Sequence, residues 1–445
     1  MATSIPAHLM PATLDRRLLH TIGRWSLTGL VVNMVIGSGI FGLPAILTRI
    51  LGEKSPWAYL IAALGVGAIA ACLAEVGSQF NEAGGPYLYA RVAYGRFAGI
   101  QIAWLTWLVR LTSGAANANI FIEYLGGFFP GAQGRFARGI VLFLLIGVLA
   151  VINILGVRLG ANVSSFLAAA KIAPLVIFIV AGLVQLEGAG AHAVVAPAAV
   201  AGPKQWLSAV LLIIFAMSGF EAALIPMGEA RDARRDIPFA LFFSLILCTV
   251  LYISIQVVVL RALGAAAADR PLAEAARVFL GGWGAVLMQI GALLSVYGNL
   301  SSQMLNVPRI TFALAERGDF PAAFGAISRK FRTPHFSIIA FAAIVFLLAL
   351  AGNFQGNAVL SVVARLLTYS VVCAALITLR RKQPGANAFR LPAGPLVSSL
   401  GLLFALALVT QMGMKDVFAI AGVMVVASLN WVWARNRMVQ PFPAE

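Results

Sequence analysis

The sequence predicts an all-α integral membrane protein in which twelve transmembrane helices cross the bilayer and the first and sixth are interrupted. Three observations carry that prediction. The 445 residues are 61% hydrophobic and only 11% charged, with mean hydropathy +0.92, whereas a soluble domain carries about 25% charged residues. Apolar stretches of about 20 residues, the length a crossing helix needs, recur along the whole chain. Glycine-serine elements stand in the middle of two of these stretches, five spans apart.

Taken in order, the expected spans are 27–51, 57–80, 97–125, 139–158, 161–186, 206–229, 238–263, 282–307, 335–352, 358–379, 395–412 and 416–434. The ninth and the last two are the shortest. No soluble domain fits between them. The longest polar stretch, about 308–334, reads as a loop with a short interfacial helix. The first 25 residues are mixed and polar, and the apolar stretch after them is too long for the h-region of a cleaved leader.

Charge sets the orientation. With the N-terminus inside, 20 of the 32 Lys and Arg fall in inner segments and 9 in outer ones, while Arg110, Lys171 and Arg365 lie within spans. The positive-inside rule selects that orientation, with both termini cytoplasmic. The net charge of +16 is then an inner-leaflet signature facing lipid, and no nucleic-acid partner is expected. Cys72, Cys248 and Cys373 lie in apolar stretches and read as small core residues. His8, His20, His192 and His335 are scattered, no cluster has ligand spacing, and neither a metal nor a cofactor is expected.

The two interruptions point to a binding site. Span one contains Val35-Ile36-Gly37-Ser38-Gly39-Ile40-Phe41, and each glycine weakens a helix interior by roughly 1 kcal/mol relative to alanine. A backbone break at bilayer depth leaves N–H and C=O groups that lipid cannot satisfy, so it must be buried in protein or line a polar cavity. Span six contains Phe215-Ala216-Met217-Ser218-Gly219-Phe220-Glu221 at about mid-depth. The two spans enter from opposite sides, as expected of an inverted repeat of spans 1–5 and 6–10, so their middles would face each other across one cavity. The plainer alternative is that these small residues serve only helix packing. Two breaks at corresponding places favour the binding site.

Four patches, in order along the chain, carry a family resemblance. The first is Gly37-Ser38-Gly39-Ile40-Phe41. The second is Ala74-Glu75-Val76-Gly77-Ser78 with Ala83-Gly84-Gly85-Pro86-Tyr87-Leu88-Tyr89 and Gly95. The third is Gly219-Phe220-Glu221 with Gly228-Glu229 and Arg234-Arg235-Asp236-Ile237-Pro238. The last is Pro308-Arg309, Ala315-Glu316-Arg317-Gly318-Asp319-Phe320-Pro321 and Phe331-Arg332-Thr333-Pro334. From about residue 22 to about 380 the chain resembles bacterial amino-acid permeases of the amino acid–polyamine–organocation (APC) superfamily. It departs at Asn81, where a proline is common, and at Asp232-Ala233, which replaces a usual Asn-Pro.

The resemblance implies a five-plus-five inverted-repeat fold with discontinuous helices 1 and 6. Residues 1–26 would be a cytoplasmic N-terminal segment and 27–379 the transporter core, with repeats 27–186 and 206–379. Residues 380–434 would hold peripheral helices 11 and 12, and 435–445 a cytoplasmic tail. It also implies alternating access, in which spans 1, 2, 6 and 7 rock against spans 3, 4, 8 and 9. The expected activity is secondary active import of amino acids across the bacterial inner (plasma) membrane, by symport with protons.

The physics of such a site is direct. Free N–H groups at Gly37, Ser38 and Gly39, opening a half-helix, would take a carboxylate. Carbonyls around Phe215, Ala216 and Ser218, beside Gly219, would take the ammonium. Phe215, Met217 and Phe220 would line the side-chain pocket, which leans toward neutral, apolar or small side chains. Core packing is the alternative for Phe220.

Lys171 lies about ten residues into span five with no acidic residue within a helical turn. A lysine at that depth is usually functional or paired across helices. It could bind and release a proton, and the resemblance implies that its ammonium tethers span five to carbonyls near the span-one break, where sodium-coupled relatives bind sodium. A snorkelling lysine is the alternative. Glu221 is expected to relay protons or to brace the unwound backbone. Glu75 and Glu229 are expected to pair with cytoplasmic arginines in an inner gate. Arg365 cannot be deprotonated and reads as structural or as a counter-ion to Glu221, with Arg110 equally unusual on span three. Ser295 and Asn299 read as polar lining or as ordinary interhelical hydrogen bonding.

Two other classes stay open. An exchanger of amino acid for amine would need acidic pocket residues, and only Glu221 offers itself. A sensor usually carries a soluble output domain, which is not seen, and no paired aspartates or His/Glu pair suggests an enzyme.

Overall fold

The computed structural model describes residues 23–80, 84–156, 161–188, 201–221, 233–264, 266, 268–382 and 389–435. The segment before 23, Glu82, the second half of span six with Gly228 and Glu229, and the tail beyond 435 lie outside the described residues.

Every regular element described is helical. The first crossing is split into α1 (Arg24–Val35) and α2 (Gly39–Leu51). A tight turn leads to α3 (Ser55–Gly77), α4 (Gly85–Tyr94), α5 (Arg96–Leu125), α6 (Arg135–Ile154) and α7 (Ala161–Gly188). The second half runs through α8 (Pro203–Met217), α9 (Ala233–Leu263), α10 (Pro271–Glu316), α11 (His335–Ala351) and α12 (Phe354–Lys382). Two further helices, α13 (Gly394–Val409) and α14 (Met414–Ala434), follow. Among the described residues, six helical stretches are long and apolar enough to cross a membrane. They are Gly39–Gly77, Arg135–Ile154, Arg235–Leu263, Pro271–Glu316, Phe354–Lys382 and Met414–Ala434.

Burial sorts the helices into an inside and an outside. The apolar window of α12 is 72% buried, whereas those of α6 and α14 are 28% and 22% buried. The outer helices expose large apolar side chains such as Phe143, Leu144, Phe418 and Leu429, as a lipid-facing surface requires. In contrast α5, which packs on α4, α10, α11, α12 and α14, buries Gln101, Asn117 and Asn119. Polar groups at that depth need partners inside the protein. The middle of the bundle is therefore polar.

One expected boundary is corrected. The eighth span does not stop at 307: α10 continues through Pro308 to Glu316, because Thr311 and Leu314 extend the face it buries. It ends in a Schellman motif, with Gly318 at φ 74 and bonds from its amide to Ala315 and from the Asp319 amide to Leu314. Between the second and third crossings, Gly85–Tyr94 forms a further helix lying along the ends of α5 and α12.

That termination fixes Asp319, which organises the face where α3, α10 and α12 end, referred to below as the basic face. The fully buried Asp319 carboxylate accepts from Arg96 Nε at 2.8 Å and from Arg91 and the Tyr87 hydroxyl. Asn430 on α14 donates to its carbonyl at 2.7 Å. Burial, and next the Asp319 carboxylate, push the Tyr87 phenol up to about 12, so at neutral pH it remains a proton donor. Beside it, Arg380 grips Glu75 through two bonds of 2.6 and 2.7 Å, and the Leu391 amide adds a third at 2.8 Å.

Asp319→Ala removes the carboxylate that joins Arg91, Arg96 and Tyr87. Breaking a buried pair by deleting one partner costs about 3–5 kcal/mol, so the detergent-solubilised variant should melt clearly below the parent in a thermal scan. A melting temperature within about 2 °C of the parent would refute a structural role for this cluster.

Candidate functional site

The site begins where α1 stops. Ile36 leaves helical geometry at φ −73, ψ 92, and α2 restarts at Gly39 with Ser38 as its N-cap. Across from it α8 ends at Met217, Ser218 turns extended (φ −74, ψ 153), and Gly219 takes φ +117. The two interruptions face each other in direct backbone contact. A Cβ on Gly39 would stand 2.6 Å from Ala216 Cα, and one on Gly219 would stand 2.7 Å from the Met34 carbonyl oxygen. Only glycine fits either place, and at Gly219 the left-handed backbone demands it independently.

An interrupted helix orphans carbonyls at one end and amides at the other. Most of the carbonyls at the end of α1 are taken. Lys171 on α7, 3% exposed, donates its ammonium to Asn33 O and, at 2.8 Å, to Ile36 O. The Tyr252 hydroxyl on α9 lies 3.1 Å from Val35 O and 3.0 Å from Ala216 O, so its single proton serves the two breaks alternately. The amides of Gly37, Ser38 and Gly39 find no acceptor among the described residues. They are the open end, and a helix N-terminus favours an anion there.

Glu221 holds the second break in shape. One carboxylate oxygen accepts the Gly219 amide at 3.0 Å and the Tyr369 hydroxyl at 2.9 Å. The other pairs with Arg365 and, at 3.4 Å, with Arg110 Nη2. With four donors already on its two oxygens, Glu221 has the geometry of a brace. Arg365 is its counter-ion.

Two cavities meet at these arginines. A small chamber of about 30 Å³ lies between the breaks, bounded by Gly37, Ser38, Gly39, Phe215, Ser218 and Asn117. A vestibule of about 410 Å³ runs from Gly84 and Arg317 at the basic face up to Glu221, past Trp107 and Tyr369. Arg110 and Arg365 line both. On the far side of the chamber Phe215 packs edge-on against Phe354, ring centroids 5.7 Å apart. The site is thus approachable from the basic face.

The structure brings together Gly37, Ser38, Gly39, Phe215, Ser218, Gly219 and Glu221 around this space, with Lys171 one layer behind. It corrects the expected lining in two respects. Met217 and Phe220 are buried away from the chamber, Phe220 against the Tyr369 ring at 5.6 Å. The Phe215 and Ala216 carbonyls are not free, since they accept from the Ser218 amide and from Tyr252. Asn299, one of the two residues expected as polar lining or interhelical bonding, does line the chamber, and the sequence reading missed its neighbours Asn117 and Gln303. Asn117 and Gln303 both donate to Asn299 Oδ1, at 3.2 and 2.7 Å, leaving Asn117 Oδ1 and Gln303 Oε1 buried without partners. A signal was present: Arg110, Ser113 and Asn117 share one face of α5 at helical spacing, as Asn299 and Gln303 do on α10.

Comparison with known proteins agrees with this architecture. The chain is 27% identical over 405 residues to the serine/threonine exchanger SteT of Bacillus subtilis, covering 88% of this chain and 90% of the relative. It is 25% identical over 430 residues to the branched-chain amino acid permease BcaP of the same organism, covering 90% and 89%. It is 26% identical over 425 residues to an arginine/agmatine antiporter of Chlamydia trachomatis serovar D, covering 90% and 87%. The profile of the family described as Amino acid permease matches residues 22–435, nearly the whole length, and this chain belongs to that family of transporters, which are not enzymes.

Proposed function

We propose that this chain imports amino acids by alternating access and couples uptake to protons. The observation that carries the reading is the uncapped run of amides at Gly37, Ser38 and Gly39 facing the chamber. A substrate carboxylate there would gain charge-assisted hydrogen bonds, each worth about 1.5–3 kcal/mol. The ammonium would turn to the Ser218 carbonyl and the unpaired oxygens of Asn117 and Gln303.

The twelve-span, five-plus-five arrangement is part of the same proposal. In support, the first helix breaks and the sixth ends at corresponding places, α1 and α2 pack on α9 and α8, and α13 and α14 follow after the repeats. The division into a core at 27–379, peripheral helices at 380–434 and terminal segments at 1–26 and 435–445 follows from it. The excess of Lys and Arg on the basic face supports a cytoplasmic position for that face. With Phe215 and Phe354 closed behind the chamber and the vestibule open in front, the conformation is then inward-facing.

Proton coupling falls to Lys171. Its ammonium ties α7 to the last carbonyls of α1, and deprotonation would release that tie. Glu221 enters as the brace of the second break. Exchange is the second reading, favoured by relatives named as an exchanger and an antiporter.

Gly39→Val, whose Cβ would stand 2.6 Å from Ala216 Cα, must push the two breaks apart, so the protein recovered from the membrane should take up no amino acid in proteoliposomes. Normal uptake would count heavily against this site. In sodium-free buffer an imposed pH gradient should drive accumulation by the parent. Lys171→Ala should lose that accumulation while retaining counterflow of one amino acid against another. Strict sodium dependence of the parent, or gradient-driven accumulation undiminished in Lys171→Ala, would defeat proton coupling through this residue.

A further inference from the structure

The lining of the chamber bears on what it selects. Resting on the proposed transport of amino acids, we infer that this site takes substrates with an anionic side chain. The preferred class is acidic amino acids and their sulfonate or phosphate analogues.

The first argument is the charge count at the junction of the two cavities. Arg110 and Arg365 line both, and among the described residues Glu221 is the single acidic group lining either. One carboxylate therefore serves two fixed guanidiniums, and it is divided unevenly. Glu221 gives its short contact to Arg365 and its other oxygen to Tyr369 and the Gly219 amide, and it reaches Arg110 only at 3.4 Å. That is the one acceptor Arg110 meets among the described residues. A guanidinium carries five donors in a fork that matches a carboxylate or phosphate. Arg365, 4% exposed, adds a buried Nε without a partner.

The second argument is spatial. The chamber between the breaks has about 30 Å³, room for a compact head group and little else. The main-chain atoms of an amino acid occupy it once the carboxylate meets Gly37, Ser38 and Gly39. The side chain must then leave along the passage toward the vestibule, and that passage is walled by Arg110 and Arg365. Met217 and Phe220 point into packing and offer the chamber no apolar wall, so the first side chains that a substrate meets on leaving it are the two arginines, ahead of the apolar vestibule formed by Trp107, Val307 and Ile310.

The third argument concerns approach. Arg309 and Arg317 also line the vestibule, so among the described residues the cavity holds four arginines against one glutamate from the basic face inward. A cleft of one sign in a low-dielectric surround concentrates ions of the other sign. A cationic substrate would meet repulsion along this route and no free carboxylate at its end.

The test uses the purified full-length protein. Ligand-induced thermal stabilisation is measured with L-glutamate, L-aspartate, L-cysteate and O-phospho-L-serine against L-glutamine, L-serine, L-leucine, L-arginine and agmatine. Labelled uptake into proteoliposomes is measured for glutamate, glutamine, leucine and arginine. At least one anionic amino acid should bind about tenfold more tightly than glutamine, and arginine and agmatine should be the poorest ligands. Arg110→Gln should shrink the preference for glutamate over glutamine to under about threefold. The inference is overturned if a neutral or cationic amino acid outranks every anionic one in the parent, or if folded Arg110→Gln keeps the parent's preference. Should Arg110→Gln not fold, the parent's ranking decides alone. Stabilisation and uptake by neutral or cationic amino acids only would sink this inference and leave the transport reading intact. No response to any amino acid would sink both.

Discussion

A helix broken where water is scarce exposes two kinds of backbone group at once, and this protein satisfies only one of them. Most of the carbonyls at the end of α1 are closed by Lys171 from α7 and Tyr252 from α9. The amides that open α2 are left bare. An unmade bond of this kind costs roughly 1–3 kcal/mol per group in a desolvated place, so under the proposed function a substrate carboxylate gains by taking these amides. The asymmetry makes a site from a defect: had a side chain capped Gly39 as Lys171 caps Ile36, there would be nothing for a ligand to do.

That arrangement depends on close approach. Gly39 against Ala216 and Gly219 against Met34 put the two breaks in backbone contact, so each is part of the wall of the other. The turn at Ser218 and Gly219 has no helical ladder to hold it, and Glu221 supplies the substitute by accepting the Gly219 amide. A carboxylate buried for that purpose needs counter-charge, which Arg365, Arg110 and the Tyr369 hydroxyl provide. Buried ion pairs are weak evidence for stability, since desolvation offsets much of the attraction. Their value here is positional. The cluster fixes the second break and places two guanidiniums at the mouth of the chamber.

How much of this was legible beforehand depended on whether the signal lay in one segment or between segments. Gly37, Ser38, Gly39, Ser218 and Gly219 announced themselves, because glycine and serine in an apolar run have few other uses. Lys171 was conspicuous for the same reason, and so were Glu75 and Glu221 as acids at depth. The pairing of Arg365 with Glu221 followed from the rule that a fixed buried charge requires a partner. The lining did not follow. Phe215, Met217 and Phe220 are adjacent in sequence, but a chain leaving helical geometry at Ser218 sends successive side chains in directions no helical wheel predicts. Only Phe215 reaches the chamber. Tyr252, buried and fully engaged, looks in sequence like any aromatic in an apolar span. Pro308 misled for a local reason, since proline usually marks an end, yet here apolar burial carries α10 two turns beyond it.

The placing of the ionic ties argues for where a moving part is possible. Under the proposed division of rocking and fixed spans, Asp319 with Arg91 and Arg96 joins the end of α10 to the start of α5, both fixed, so it need not break. Glu75 with Arg380 joins α3 to α12 through arginine, whose charge is permanent. That tie can stretch or pivot without its cation losing charge. Lys171 joins α7, the fifth span and outside both sets, to the rocking first span, and it is the one cation in these ties that can give up its proton. It also holds carbonyls of the very helix end whose partner amides await the substrate. Filling the chamber and discharging the lysine therefore act on opposite sides of a single break, three residues apart along the backbone. A substrate and a proton placed that close have a physical means of feeling each other, with no signal needing to cross the bundle.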